Sequence, residues 1–192
     1  MKPMAWMLAG VLGAASGMAA GETDDAKQVF SLASPAVVTV RTEDGQGVAE
    51  GQGSGVVVAP ERVVTNCHVI ESAPVIRVFS GDKGLPAIWL RRNAVQDLCL
   101  LQVDGLGAVP ARLREGPVPK VGEPVFAVGN PLGFGLAVSA GLVAAAEQTQ
   151  PHPYLVSTAP QSPGSSGGGL FDREGRLVGV TRAILGTGQN LN

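Results

Sequence analysis

Short hydrophobic runs punctuated by turn residues extend along most of the chain. Each run is rich in Val, Leu, Ile or Ala and is bounded by Gly, Pro, Asn or Asp, which is typical of β-strands joined by tight turns. Their regular spacing predicts an all-β barrel or sandwich rather than alternating strands and helices. The predicted strands are 36–42, 53–60, 62–65, 75–80, 87–91, 98–103, 124–129, 136–146, 154–158 and 176–184.

Two segments depart from the strand pattern. Residues 22–36 begin with acidic residues and then show helical spacing, so they predict a short N-terminal helix that packs on the body. Residues 105–121 contain several prolines and few strand signals; they are interpreted as a connection between two β halves, 34–104 and 122–192. The apolar residues on one face of the predicted helix are Ala26, Val29, Phe30 and Ala33.

The first twenty residues have the layout of a secretory signal peptide. Lys2 is followed by an uncharged apolar run, 4–18, and then by the small residues Ala19 and Ala20. The alternative is a membrane anchor, but the run is shorter than the roughly 20 residues that a helical span requires. We therefore expect residues 1–20 to be removed, leaving residues 21–192 as an exported protein without stable membrane association.

The overall charge excludes some partners. The formal net charge of the 192 residues is -2 and no basic run occurs, which argues against nucleic acid and against an electrostatic membrane surface. Hydrophobic residues make up 45% of the chain, enough for a substantial core.

Ser166 lies in a glycine-rich stretch, SPGSSGGGLFD, at 162–172. Small neighbours allow a substrate to approach the hydroxyl and allow backbone N–H groups to point at one spot, as an oxyanion requires. A plain Gly/Ser turn is the alternative. The stretch also contains G-x-S-x-G, but no histidine follows Ser166, so the chain order of an esterase is excluded.

A nucleophilic serine needs a base, and only His68 and His152 are available. His152 lies between two prolines and is interpreted as a surface loop residue. Asp97 opens the apolar run DLCLL, where a carboxylate requires a partner, and His68 can provide one. The order His68, Asp97, Ser166 is the order found in chymotrypsin.

Four stretches together resemble the trypsin-like proteases of the HtrA/Deg family. The resemblance implies two six-stranded antiparallel β-barrels with the active site between them. It further implies Ser166 as nucleophile, His68 as general base, Asp97 as the residue orienting it, and the backbone N–H groups of Gly164 and Ser166 as the oxyanion hole. The four stretches are GQGSGVVVAPERVVTNCHVI, DLCLL, VGEPVFAVGNPLGFGLAVSAGLV and PGSSGGGL with GRLVGVTRAI.

The resemblance also predicts the specificity pocket. No carboxylate occurs in 155–166 to receive Lys or Arg, so we expect a preference for small aliphatic residues. Arg182 is the one nearby charge, and the sequence does not give its direction. The residues expected at the pocket are Ala159, Pro160, Thr181, Ala183 and Ile184.

The resemblance predicts an exported serine endopeptidase, in a bacterial periplasm, that cleaves unfolded or damaged proteins without a cofactor. The alternative is a catalytically inactive module that binds unfolded polypeptide. Members of the family carry a PDZ domain and are often trimers. For this chain we expect a protease domain without a PDZ segment, a homotrimer and a shortened second barrel.

The two cysteines, Cys67 and Cys99, flank the proposed base and acid in sequence. If His68 and Asp97 meet, the cysteines come within about 10 Å, near the Cα separation of disulfides, and export favours oxidation. We expect a disulfide; two buried thiols packed together are the alternative. A zinc site using both cysteines, His68 and His152 lacks the usual ligand spacing, so no metal is predicted.

Overall fold

The computed structural model describes residues 17–147 and 154–182. Two antiparallel sheets form the body, preceded by one N-terminal helix. The first half contains β1 (Val37–Glu43), β2 (Ala49–Ala59), β3 (Arg62–Asn66), β4 (Val75–Ser80), β5 (Lys83–Pro86), β6 (Ile88–Asn93) and β7 (Leu98–Gln102). The second contains β8 (Pro124–Gly129), β9 (Ala137–Glu147), β10 (Tyr154–Ser157), β11 (Gly169–Phe171) and β12 (Leu177–Val180). The helices are α1 (Gly17–Ala33) and the single turn α2 (Cys67–Ile70), with 3₁₀ turns at Ser34–Ala36 and Pro131–Gly133.

The first sheet curls around a core of β-branched and leucine side chains. Its strand order is β5-β4-β1-β2-β3-β7-β6. Alternate residues of these strands point inward, so Val40, Val57, Val63, Val78 and Leu101 are fully buried. The turn α2 lies over this core through Cys67 and Ile70, which places His68 at the rim of the sheet.

The second sheet has the order β10-β9-β8-β11-β12. One of its faces packs with α1, where Val29 is buried together with Phe126 and Phe171. A smaller cluster around Val125 and Leu170 fills the other face. The loop that carries Ser166 leads into β11, which pairs with β8, the central strand of this sheet.

The structure confirms the mostly β fold in two antiparallel halves but not the strand counts. The described residues form seven and five strands, where two six-stranded barrels were predicted. Two observed strands, β5 and β11, were not among the predicted ones. In the first half the additional strand is β5, a polar and glycine-containing segment with little strand propensity of its own. It pairs with β4 through a hairpin in which Gly81 has φ 59°. In the second half, the predicted strand 176–184 is described as a strand only from Leu177 to Val180.

The helix α1 begins at Gly17, earlier than the predicted residue 22, and therefore within the predicted signal segment 1–20. Val29 and Ala33 of the predicted apolar face are buried, and Phe30 packs beside them. The helix ends at Ala33, just before the 3₁₀ turn Ser34–Ala36; this turn contains Pro35, which disfavours continuation of the α-helix. Neither helix among the described residues is long and apolar enough to cross a membrane.

The connection between the halves packs on both of them. Ala111 N–H donates to Val57 O in the first half, at 2.8 Å. Leu113 forms a parallel bridge with Leu177 of β12, and the Arg114 N–H donates to the Leu177 carbonyl at 3.0 Å. The connection thereby links the two sheets along one side of the molecule.

Candidate active site

His68 and Asp97 form a close pair at the rim of the first sheet. Strand β3 pairs with β7 so that Asn66 lies opposite Leu98, which brings the residues after β3 beside the residue before β7. His68 Nδ1 lies 2.6 Å from Asp97 Oδ2, and the His68 N–H donates to Oδ1 at 3.0 Å. Both carboxylate oxygens therefore hold the histidine, one through its ring and one through its backbone.

Asp97 is held in an unusual conformation. Its φ is 55°, in the left-handed region that few residues other than glycine adopt. The residue is buried, and a buried carboxylate is costly without partners. Its backbone carbonyl accepts from the Cys67 N–H at 3.1 Å and from Asn66 Nδ2 at 3.0 Å. These bonds with His68 and its neighbours offset the strain and the burial.

Cys67 and Cys99 are joined by a disulfide with a Cα–Cα distance of 5.0 Å. The bond follows from the pairing of Thr65 with Cys99 across β3 and β7. Asp97 directly precedes β7, the strand that contains Cys99. In the disulfide neither sulfur is a thiolate that could bind zinc.

The loop around Ser166 turns tightly because it contains glycines at positive φ. Gly164 has φ 94° and Gly167 has φ 85°. A Cβ at Gly167 would collide with the Ser54 carbonyl oxygen and the Thr65 hydroxyl, and would lie 3.1 Å from Asn66 N. The loop can therefore approach the first half this closely only with glycine at that position.

Ser54, fully buried in β2, makes three hydrogen bonds to the second half, two of them to the serine loop. Its N–H donates to the Ser166 carbonyl at 2.8 Å, and its hydroxyl donates to the Gly164 carbonyl at 2.7 Å. The same hydroxyl accepts from the Asn130 N–H at 2.8 Å. Sequence reasoning missed this residue; its position between two glycines in GQGSG was the available signal.

The two halves meet where His68 and Ser166 lie. A Cβ placed on Gly53 would be 2.6 Å from Val69, the residue after His68, and 3.0 Å from the Ser166 carbonyl oxygen. His68 and Ser166 themselves are not hydrogen-bonded to each other in the described structure. In structures without substrate, such hydrogen bonds are often long or absent.

Two consecutive residues after β12 link the serine loop to the acid. The Thr181 hydroxyl donates to the Ser165 carbonyl at 2.8 Å. Arg182 Nε lies 3.2 Å from Asp97 Oδ2. The sequence left the orientation of the Arg182 side chain open, and the structure shows that it points to Asp97. The residues after β12 therefore contact both the serine loop and the carboxylate that lies against His68.

The backbone N–H groups of Gly164 and Ser166 have no hydrogen-bond acceptor among the described residues. Their neighbours are engaged, since the Ser165 N–H donates to Ser162 O and the Gly168 N–H to Ser165 O, both at 3.0 Å. Two uncommitted donors at a buried serine can stabilise a negatively charged oxygen.

A cavity of about 210 Å³ lies beside the serine loop. Pro160 and Thr181, both expected at the pocket, line it together with Ser162 and Ser165, and none of its described lining residues is charged. Ala159 is fully buried in the core of the second sheet instead, because Gly141 of β9 leaves room for its backbone. Ala183, Ile184 and His152 lie outside the described residues.

A protein-family model and several named serine endoproteases match most of this chain. The model of the trypsin-like peptidase domain matches residues 53–180. A protein named "Probable periplasmic serine endoprotease DegP-like" from Pseudomonas savastanoi pv. phaseolicola is 34% identical over 148 residues, which is 74% of this chain and 31% of the relative. One of the same name from Ectopseudomonas mendocina is 36% identical over 146 residues, 73% of this chain and 31% of the relative. The chain thus spans about a third of the length of these relatives.

Solved structures share the fold. The serine endoprotease from Yersinia pestis superposes with a TM-score of 0.77 at 28% identity, covering 86% of this chain and 60% of that one. A variant of the HtrA-type protease AlgW, determined with a tripeptide, gives a TM-score of 0.77 at 27% identity, covering 86% and 57%. Family match, relatives and fold agree, and the chain belongs to the trypsin-like peptidases as a protease domain of the HtrA/Deg type.

Proposed function

We propose that this protein is a serine endopeptidase that uses Ser166 as nucleophile, His68 as general base and acid, and Asp97 as the residue that orients His68. The observation that carries the proposal is the 2.6 Å contact between His68 Nδ1 and Asp97 Oδ2, at the rim that faces the serine loop. The membership in the trypsin-like peptidase family supports the same reaction class.

The contact between His68 and Asp97 fixes which imidazole nitrogen of His68 exchanges a proton with Ser166. A carboxylate can only accept hydrogen bonds, so Nδ1 carries the proton and Nε2 keeps a lone pair. Nε2 takes the proton of the Ser166 hydroxyl while Oγ bonds to the scissile carbonyl carbon. The imidazolium then protonates the leaving amine as the C–N bond breaks, which leaves an acyl-enzyme on Ser166.

Water completes the cycle by the reverse proton path. Nε2 accepts a proton from water as the hydroxide attacks the acyl carbon, and the proton returns to Ser166 as the acid product leaves. In both steps the carbonyl oxygen becomes negative, and the N–H groups of Gly164 and Ser166 serve as its donors. Removing one such donor typically costs about 10²–10³ in kcat.

The substrates we propose are unfolded or damaged proteins, with a small aliphatic residue before the cut. The uncharged cavity of about 210 Å³ that Pro160 and Thr181 line supports this preference. We further propose that the protein is exported to the periplasm after removal of residues 1–20 and assembles as a homotrimer. The protease domain would then span 21–192, with the halves 34–104 and 122–192 joined by the connection 105–121. Relatives named as periplasmic support the export.

A fluorophosphonate probe tests the nucleophile directly, because it phosphonylates only an activated serine. We expect the wild type to gain one adduct by intact-mass spectrometry, and Ser166→Ala and His68→Ala to gain none. Asp97→Asn should react roughly 10³- to 10⁴-fold more slowly, since the amide no longer fixes the tautomer. Ser80→Ala, at the end of β4 in the first half, is the control and should preserve labelling.

Cleavage of unfolded casein separates the enzyme from a catalytically inactive module that binds unfolded polypeptide. We expect new peptide termini with the wild type and none with Ser166→Ala. Casein bound by the wild type without cleavage, together with no probe adduct, would establish the binding module instead.

A further inference from the structure

Arg182 binds the same carboxylate oxygen that orients His68. Its Nε lies 3.2 Å from Asp97 Oδ2, and His68 Nδ1 lies 2.6 Å from that oxygen. The other oxygen accepts from the His68 N–H. A third group has thus joined a carboxylate that already has a partner on each oxygen.

We propose that Arg182 attenuates catalysis through Asp97. It touches no reacting atom and is therefore a positioning residue rather than a catalytic one. The inference rests on the proposed function, because it concerns the work that Asp97 does for His68 during proton transfer.

The reason is electrostatic. In the transition state the imidazole acquires a positive charge, and Asp97 stabilises that charge because it is negative. A guanidinium is always charged, so Arg182 places a fixed positive charge on the same oxygen. The developing imidazolium then faces a partly neutralised carboxylate and a nearby like charge, both of which disfavour it.

Arg182 could in principle help catalysis by tying Asp97 to the second half. Two observations make this contribution small. Asp97 is already fixed by His68 and by the contacts of its carbonyl with Asn66 and Cys67. The Arg182 side chain is 56% exposed, and ion pairs of exposed side chains hold their partners only weakly. The charge effect is therefore expected to exceed the positioning effect.

Arg182→Gln removes the charge and keeps a polar side chain. We expect kcat on a peptide substrate to rise about threefold to tenfold with KM unchanged. This is the effect expected from removing one solvent-screened positive charge close to the imidazolium. The rate of fluorophosphonate labelling should rise by a similar factor. Arg182→Lys, which keeps the charge, should stay within about twofold of the wild type.

The matched control is Arg173→Gln. Arg173 pairs with Asp25 of α1 through its Nε at 2.8 Å, and its side chain is 55% exposed, much like that of Arg182. Its loss should leave kcat and labelling unchanged. Added salt should reduce the difference in kcat between the wild type and Arg182→Gln, because salt screens an exposed charge. The kcat values of the wild type and Arg173→Gln should remain equal at each salt concentration.

The outcomes are distinct. A raised kcat in Arg182→Gln with unchanged KM and a salt-sensitive gap supports the attenuation. An unchanged or lower kcat in a variant whose thermal midpoint matches the wild type overturns it, while a wild type that labels at Ser166 leaves the proposed function intact. If neither protein labels, both proposals fail. Arg182→Met provides a second uncharged variant should the glutamine variant unfold.

Discussion

At the scale of single residues, Ser54 is the point at which the first half holds the loop that carries Ser166. Its hydroxyl is engaged on both sides, donating to the Gly164 carbonyl and accepting from the Asn130 N–H. Gly164 carries one of the two proposed oxyanion donors, so the bond to its carbonyl limits how the loop can turn. A small buried hydroxyl thus couples the stability of the loop to its chemistry.

We expect Ser54→Ala to lower the free energy of unfolding by about 2–6 kcal/mol, because the Gly164 carbonyl and the Asn130 N–H each lose a partner at roughly 1–3 kcal/mol. Urea unfolding measures this, and fluorophosphonate labelling should slow in the same variant. Ser80→Ala, at the end of β4 and without a side-chain hydrogen bond among the described residues, is the control, with an expected change below about 0.5 kcal/mol. Equal effects of the two substitutions would contradict the role of Ser54.

At the scale of elements, the positions of His68 and Asp97 depend on the pairing of β3 with β7. The ladder runs from Arg62–Gln102 to Asn66–Leu98, and the disulfide closes it at the end next to His68. The two cysteines are 32 residues apart in sequence, so the bond restricts a long loop of the unfolded chain that includes β4, β5 and β6. The element that carries the histidine is thereby covalently tied to the strand that follows Asp97.

Removing the disulfide by Cys67→Ala with Cys99→Ala should lower the free energy of unfolding by about 3–4 kcal/mol, the value expected for a loop of this length. Urea titrations with and without a phosphine reductant measure it. The reductant should destabilise the wild type and leave the double variant unaffected. If the reductant frees both thiols of the wild type but leaves its free energy of unfolding unchanged, the disulfide does not stabilise the fold as proposed.

At the scale of the whole molecule, an ionic cluster joins the connection to the second half. Arg114 lies 2.9 Å from Glu123 Oε2 and 3.8 Å from Asp172 Oδ2, and Arg176 Nε donates to Asp172 Oδ2 at 2.8 Å. The Lys120 N–H and then the Arg114 side chain hold the pKa of Glu123 below its usual range. Asp172, in turn, raises the pKa of Arg176.

The lowered pKa of Glu123 makes a pH-dependent contribution to stability. Because the folded state favours the ionised form, the contribution is present above the ordinary glutamate pKa of about 4.3 and is lost as the pH falls through the lower folded value. Glu123→Gln should therefore flatten the fall in unfolding free energy between about pH 5 and pH 3. Chemical denaturation across this range measures it, with Glu50→Gln, an exposed residue of β2, as the charge control. Identical pH profiles for wild type and Glu123→Gln would exclude the contribution.

The sequence by itself determined the fold class, the family and the set of candidate site residues. Short β runs bounded by turn residues and the order of His68, Asp97 and Ser166 are local features, and they depend on residue type and spacing alone. The buried face of α1 with Val29 and Ala33 was predictable for the same reason, since helical periodicity is visible in the chain.

Only the tertiary structure decided which distant groups meet. Strand β5 forms because β4 offers it a partner, although its own residues have little strand propensity. Ser54 contacts Gly164 across 110 positions, Asp97 takes a positive φ beside His68, and Arg182 turns to Asp97 rather than to solvent alone. Such contacts depend on how the two halves pack, because hydrogen-bond and charge partners far apart in sequence leave no local pattern.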